Sequence, residues 1–376
     1  MNGPIRVLQV VTITNRGGLE SRLMDIYRNI NRDKIQFDFL KHRKKEGHYD
    51  KEIKELGGMI YELDPITPLN LITKYPREWD LFFTNHKYKI VHCHLDALST
   101  FLLKSAKKNK IPIRIAHSRI ANHTNGLKGL LQEISKIPVK KYTTHNFACS
   151  KAAGKWLFGE KALKENKVTI INNAIQTEKF VFDSQIRQKI RNDLNISNKF
   201  VLGHVGRFDY QKNHDFLIEI INKLHKKNPN IILLLIGEGK LEKAIKEKVK
   251  KYNLEEYVKF LGVREDVPDL LQAMDLFLLP SHYEGLPGVA VESQAAGLIT
   301  LLSDQITPET KITNLVEFLS IKNGVDPWVD RILYYSKGYE RSNQRQALID
   351  AGYDARQVAK WLENFYINEF KKITRS

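Results

Sequence analysis

Short apolar runs alternate along this chain with longer segments in which apolar residues recur every three or four positions. In the first half the runs are Val7–Val11, Phe37–Leu40, Met59–Leu63, Ile90–His94, Ile113–His117, Phe147–Cys149 and Val168–Asn172. In the second they are Val201–Val205, Ile231–Ile236, Val258–Leu261, Leu276–Leu279 and Ile299–Leu302. Such near-continuous runs, rich in β-branched residues, fit strands covered on both faces. Leu19–Ile30 and Leu217–His225 follow their strands directly and carry the helical period. The alternation predicts an α/β protein with parallel sheets, and the two series predict two doubly wound, Rossmann-like domains facing each other across a cleft.

The junction is expected near Asn173–Phe180, where the first series stops. Residues 1–178 then make an N-terminal domain and residues 179–355 a C-terminal one. Residues 183–198 read as a lead-in helix and loop before Val201. From Asp354 to about Phe370, the residues Val358, Trp361, Leu362, Phe365 and Tyr366 recur at helical spacing and predict a final helix with one apolar face.

Candidate chemistry gathers after the strands. Leu276–Leu279 leads into Glu284-Gly-Leu-Pro-Gly-Val-Ala-Val-Glu292, a turn with Gly285, Leu286, Pro287 and Gly288 that opens a helix. Proline suits a first-turn position, where its missing N–H has no intrahelical partner, and the glycines allow close approach to the backbone. A strand end followed by such a turn offers N–H groups and a positive helix end to an anion. Two flanking carboxylates would repel that anion; they suit neutral hydroxyls, such as those of a sugar and a ribose. By themselves Glu284 and Glu292 also fit a solvated loop residue and a helix-surface residue. Val205-Gly-Arg-Phe-Asp-Tyr-Gln-Lys212 places Arg207 and Lys212 after another strand; either alone fits a solvated surface residue, while together two cations there could stabilise growing diphosphate charge. The chain contains no Asp-x-Asp pair, so no metal ion or other cofactor is expected at the diphosphate.

Five segments occur in a telling order: Asn15-Arg-Gly17-Gly18, Ala116-His117-Ser-Arg119, Gly206-Arg207-Phe-x3-Lys212, Gly237-Glu-Gly239 and the Glu284-x7-Glu292 stretch. Together they resemble the retaining glycosyltransferases of GT-B architecture, family 4 (glycosyl transferases group 1), of the capsule and exopolysaccharide type. The resemblance covers nearly the whole chain. It implies that the final helix, 356–376, crosses back onto the first domain, which holds the acceptor, while the second binds the nucleotide sugar. It further implies that the Gly17-Gly18 loop lies near the donor phosphate and that His117 faces the donor sugar. By the same resemblance Gly237 and Gly239 form a turn under the nucleotide, Val263 and Arg264 belong to a base-contacting loop, Glu284 holds sugar hydroxyls, and Glu292 holds ribose hydroxyls. His92 and His94 read as structural, with His94 the better candidate for the cleft and Ser150 another polar lining residue. A zinc reading of His92, Cys93, His94 and His117 fits poorly, because Cys93 would face away from its neighbours.

The net charge of +17 is unevenly spread: residues 1–175 carry 31 Lys and Arg against 16 Asp and Glu, and the rest carry 29 against 27. Lysine-rich stretches such as Lys104 to Lys110 and Lys136 to Lys141 suggest that the first half meets a polyanionic surface. No apolar stretch approaches the roughly 18–20 residues of a membrane span, and Arg6 and Gln9 interrupt any export-signal core. The two cysteines, Cys93 and Cys149, read as reduced core residues. The expected protein is therefore cytoplasmic and peripheral on the inner face of the membrane. It would transfer a hexose or N-acetylhexosamine from a UDP-linked donor to a lipid-linked saccharide. A nucleotide-sugar epimerase or sugar phosphorylase can share the architecture. A nucleic-acid-binding protein would explain the basic half, but no binding motif or interleaved aromatic stripe supports nucleic acid as a partner.

Overall fold

The structure is a computed structural model that describes residues 3–119 and 127–375. It divides into two units, Met1–Ala174 with Asp354–Ser376, and Ile175–Tyr353. The exchange falls at Ala174, four residues before the boundary read from the sequence. Residues 175–178 join the second unit because the Ile175 amide donates to the Tyr353 carbonyl (2.9 Å) and Ile175 sits in that unit's core with Phe180.

In the first unit the strands are β1 (Ile5–Val11), β2 (Ile35–Lys41), β3 (Ile60–Glu62), β4 (Ile90–Cys93), β5 (Ile113–Ser118), β6 (His145–Ala148) and β7 (Thr169–Ile170). They form one parallel sheet in the order β3-β2-β1-β4-β5-β6-β7. Successive side chains point to opposite faces, and both faces are covered, which explains the unbroken apolar runs. Leu8, Val10, Val91, Cys93 and Ala116 enter one core, while Val7, Val11, Ile90, Ile113 and Ile115 enter the other. Helix α1 (Gly18–Asn29) follows β1 directly.

The second unit holds β8 (Phe200–Val205), β9 (Ile231–Ile236), β10 (Val258–Gly262), β11 (Leu276–Leu279), β12 (Ile299–Ser303) and β13 (Val316–Leu319). This sheet is also parallel, in the order β10-β9-β8-β11-β12-β13. The same alternation sends Leu202, Leu233, Leu235, Leu276 and Leu278 to one core and Val201, Leu234, Ile236, Phe277 and Leu279 to the other. Strand β13 is absent from the sequence-predicted set. It lies at the sheet edge, and Glu317 interrupts its apolar run to pair with Arg331 and the Tyr335 hydroxyl. Helices α2 (His214–Leu224) and α3 (Gly288–Ala295) follow β8 and β11.

The final helix, α4 (Ala355–Arg375), belongs to the first unit. Its Val358, Ala359, Leu362, Tyr366 and Phe370 are buried in one core with Met24 and Tyr27 of α1. Its Glu363 carboxylate reaches Lys34 (3.6 Å). Trp361, expected on the buried stripe, is 43% exposed; it stacks on Phe365 (centroids 5.5 Å apart) at the rim of that face. Cys93 and Cys149 are buried free thiols, and burial pushes them up to about 12 and about 11. Among the described residues, no helix is long and apolar enough to cross a membrane.

Candidate active site

In an open parallel sheet, strands that lead to opposite edges leave a crevice at their carboxyl ends where the strand order reverses. The second unit reverses between β8 and β11, which are neighbours. The loops at that point are 206–213, after β8, and 280–287, after β11. They carry Arg207, Lys212 and Glu284, so residues more than seventy positions apart meet because of strand order alone.

The two loops are knitted together. The His282 amide donates to the Gln211 carbonyl (2.9 Å), and Asn213 Nδ2 donates to the Pro280 carbonyl (3.0 Å). Asn213 takes a left-handed conformation (φ 56°) as it hands the chain to α2, which a short polar side chain tolerates. Lys212 Nζ then lies 2.5 Å from Glu284 Oε1, with the two side chains only 16% and 9% exposed. Ser281 Oγ also donates to Glu284 Oε1 (3.0 Å), and Gln211 Nε2 donates to Oε2 (3.0 Å). Three donors therefore fix one carboxylate. A charge-assisted bond of this kind is stronger than a neutral one and locks both side chains.

Arg207 is different. Its side chain is 80% exposed, and its Nε lies 3.7 Å from Asp209 Oδ2, so its charge projects from the loop. Glu292 is buried on the second turn of α3. No side chain caps that helix, which leaves its amino end open to an anion.

The first unit reverses between β1 and β4. Gly17 caps α1 there in an extended conformation. A Cβ on Gly17 would fall 2.2 Å from a Glu20 carboxylate oxygen, whereas one on Gly18 would meet nothing within 4 Å. Beside this loop the sheet buries three histidines, His92 and His94 from β4 and its end and His117 from β5. His92 Nε2 is 3.0 Å from His117 Nδ1, and His92 Nδ1 is 2.7 Å from the Tyr366 hydroxyl of α4. His94 Nε2 is 2.9 Å from Gln9 Oε1, and Arg119 Nε donates to His94 Nδ1 at 3.4 Å. Burial holds all three imidazoles well below the usual value of 6.5, with Arg119 adding to the effect. One ring nitrogen from each histidine lies within 4.8 Å of the others. As a metal centre the group fits badly: His92 and His117 are bonded to one another, His94 is held by Gln9, and a guanidinium stands where it would repel a cation.

Comparison with known proteins bears on this geometry. Residues 186–355 match the family model described as glycosyl transferases group 1. The chain is 33% identical over 368 residues to EpsF of Bacillus subtilis (strain 168), named as a glycosyltransferase, covering 96% of each chain. This chain belongs to the glycosyl transferases group 1 family. It is also 26% identical to the capsular polysaccharide biosynthesis glycosyltransferase CapH of Staphylococcus aureus, over 80% of this chain and 81% of that one. The solved structure of Anabaena Alr3699/HepE in complex with UDP superposes with a TM-score of 0.79 at 16% identity. It covers 96% of this chain and 100% of that one, and it establishes the GT-B fold.

Several details of this group 1 chain differ from the sequence reading. Pro287 stands one residue before α3, with φ −68° and ψ 119°, and Gly288 is the first helical residue. Gly237 and Gly239 are required by a neighbouring backbone: Cβ atoms there would lie 2.2 Å from the Gly206 carbonyl oxygen and 2.5 Å from that of Phe208. Their smallness lets the loop after β9 support the Arg207 loop. The Gly237 amide meanwhile donates to the Gly262 carbonyl (2.8 Å), bringing the Val263 segment alongside. Val263 is 53% exposed, and Arg264 is bonded by two nitrogens to Asp266 (2.7 and 2.5 Å). Gly285 and Leu286 continue the turn from Glu284, with Leu286 buried in the core. Ser150 caps the helix Lys151–Phe158, its Oγ accepting from the Ala153 amide. As site residues, Gln211, Ser281, Gln9 and Tyr366 are not marked by the sequence, which places Tyr366 only on the apolar face of the last helix. Only their contacts single them out for the site.

Proposed function

We propose that this glycosyltransferase moves a hexose or N-acetylhexosamine from a UDP-linked donor to a lipid-linked saccharide, with retention of anomeric configuration and without a metal ion, in surface polysaccharide synthesis. The observation that carries the reading is the Lys212–Glu284 pair at the strand-order reversal of the second sheet. The UDP held by HepE supports the donor class, and the capsular role in CapH's name supports the pathway class.

The second unit's residues divide the work by charge. As the sugar leaves, negative charge grows on the departing diphosphate; the open end of α3, Lys212 and the exposed Arg207 are the groups able to stabilise it. Glu284, held by three donors, keeps its remaining acceptor capacity for sugar hydroxyls. Glu292 takes ribose hydroxyls. His117 is the first unit's contribution to binding the sugar or the acceptor.

The acceptor assignment rests on charge. The first unit carries 36 Lys and Arg against 19 Asp and Glu, and the second carries 24 against 24. The whole net charge therefore belongs to one unit, which suits an anionic membrane surface or a lipid-linked phosphate. Lys104 and Lys107 are exposed on the helix Ser99–Lys108. That helix touches the helix Leu127–Lys136, where Ile134 is 58% exposed, and Ile137 beyond it is 74% exposed.

The test incubates the purified protein with a panel of UDP- and GDP-sugars, with and without chelator, and measures released nucleoside diphosphate. Release from UDP-sugars, increased by a lipid-linked saccharide and unchanged by chelator, is expected. Activity lost in chelator and restored by magnesium or manganese would overturn the metal-free assignment. An epimerised sugar nucleotide, or no diphosphate release from any donor, would overturn the transfer reading.

A further inference from the structure

At the strand-order reversal of the second sheet, the two strands that carry the site stop pairing before they end. The register of β8 with β11 joins Leu202 to Leu276 and Gly203 to Phe277, yet β8 runs on to Val205 and β11 to Leu279. A backbone ladder holds neighbouring strands about 4.8 Å apart; past its end, another group must set the spacing of the loops that follow. His204 is the first residue of β8 beyond that pairing, and it is fully buried. Its Nδ1 lies 2.9 Å from the Leu278 carbonyl oxygen on β11. A carbonyl only accepts, so Nδ1 carries a proton. Burial, His214 and Lys212 hold the ring well below the usual 6.5 against the pull of that carbonyl. The ring is therefore neutral, and Nε2, which has no hydrogen-bond partner among the described residues, keeps its lone pair.

The far edge of the ring reaches the other loop. A Cβ on Gly206 would fall 2.9 Å from His204 Nε2 and 3.1 Å from Cγ and Cδ of Lys212, so ring and lysine stem flank the same glycine. The ring also meets His214 edge to face (centroids 4.7 Å apart, 82°), and His214 stacks on the buried Phe208 (4.0 Å, 22°). Gly206 and Phe208 belong to the loop that carries Arg207 and Lys212. One imidazole is thus bonded to the strand that leads to Glu284 and packed beneath the loop that leads to Lys212.

We propose that His204 is a positioning residue of the site, a strut that sets the distance between the Lys212 and Glu284 loops where the backbone ladder no longer does, and that it acts as the Nδ1-protonated tautomer. Glu284 is held by Lys212, Gln211 and Ser281, but all three come from these same two loops. Their bonds form only if the loops start at the right separation. Phenylalanine at 204 would fill much the same space and leave the Leu278 carbonyl without this donor, whereas the asparagine amide can place an N–H near the Nδ1 position. The strut follows from the second unit alone; its effect on turnover rests on the glycosyltransferase reading.

Three measurements on the full chain test it. Long-range proton–nitrogen correlation NMR with 15N-histidine, the His204 ring assigned through its contacts with His214 and Leu278, should show a neutral ring protonated on Nδ1. A proton on Nε2 alone, or a charged ring, overturns the proposal. In urea titrations, the mutual energy of the Lys212–Glu284 pair, read from a double-variant cycle of Lys212→Met and Glu284→Gln, should vanish in a His204→Phe background. An undiminished coupling overturns the strut. Turnover of a UDP-sugar by His204→Phe should fall about tenfold in kcat with KM changed less than about twofold, because misplaced groups fail the charge that grows in the transition state. His204→Asn should recover most of that loss, and an asparagine variant as slow as the phenylalanine one overturns the hydrogen-bonded role. The wild-type spectrum decides the tautomer even where a variant fails to fold. An Nδ1-protonated ring and a lost coupling, together with no turnover of any nucleotide sugar by the native chain, would sustain the strut and sink the transfer reading.

Discussion

Replacing Glu284 by glutamine changes one oxygen to an amide nitrogen and leaves the backbone untouched. In the native site that carboxylate accepts from Lys212, Ser281 and Gln211 at 2.5, 3.0 and 3.0 Å. A glutamine can satisfy either the Lys212 and Ser281 side or the Gln211 side, and its new N–H₂ opposes the other. A hydrogen bond to a charged group contributes about 1.5–3 kcal/mol, and breaking a fully buried pair costs about 3–5 kcal/mol. With side chains 9% and 16% exposed, water screens little of the pair, and we expect a loss of about 2–3 kcal/mol. For a unit of about 180 residues that lowers the melting temperature by roughly 4–12 °C. Lys212→Met should cost a similar amount, and the double variant about 1 kcal/mol more than either alone, giving a coupling of about 1–2 kcal/mol. Turnover, read as released nucleoside diphosphate, should fall about 10²–10³-fold in Glu284→Gln because a preorganised group is lost. Urea titrations of the four proteins measure the cycle. Additivity within about 0.5 kcal/mol would show that the pair carries no mutual energy, and near-native turnover would remove Glu284 from the chemistry.

Arg207→Ala should abolish most turnover, by about 10²-fold or more, while leaving the melting temperature unchanged, because its side chain is 80% exposed; an active variant would refute its role. Glu292→Ala should mainly weaken UDP binding, measured by calorimetry, and unaltered affinity would refute the ribose contact. Vesicle sedimentation should show binding to anionic lipid that weakens with salt and with Lys104, Lys107, Lys108 and Lys110 replaced by glutamine, each lysine contributing about 1 kcal/mol near the surface; equal binding to neutral vesicles would refute the electrostatic account. Asp50 is buried, which alone would raise its pKa, but bonds from Lys41, Thr14 and the Gly47 amide outweigh burial and hold it below the usual 3.8. Its contribution is therefore complete above the unfolded value and lost as pH falls through the folded one. Asp50→Asn should flatten the acid limb of a stability–pH curve below about pH 5, and an unchanged limb would count against it.

The strands legible in the sequence are those covered on both faces. Val201–Val205 and Ile231–Ile236 need no partner to be recognised, because burial on two sides demands an unbroken apolar run. Edge strands escape that demand: β13 carries Glu317 outward to Arg331 and was missed, and Met59 lies exposed just before the shorter β3. The Gly-Arg-x4-Lys and Glu-x7-Glu segments are legible through the order of five segments that resembles the family; alone, each also fits ordinary loop and helix-surface residues.

The chain order alone determined two α/β series, the positions of the loops after each strand, and the concentration of charge in the first. Tertiary structure decided which loops became neighbours. Lys212 meets Glu284 only because β8 pairs with β11, and His92 meets Tyr366 only because α4 returns to the first sheet. The physical reason is that a sequence pattern reports the period of burial within one element. A contact between elements depends on strand order and on which side chains reach across, and those follow from the packing of the whole unit.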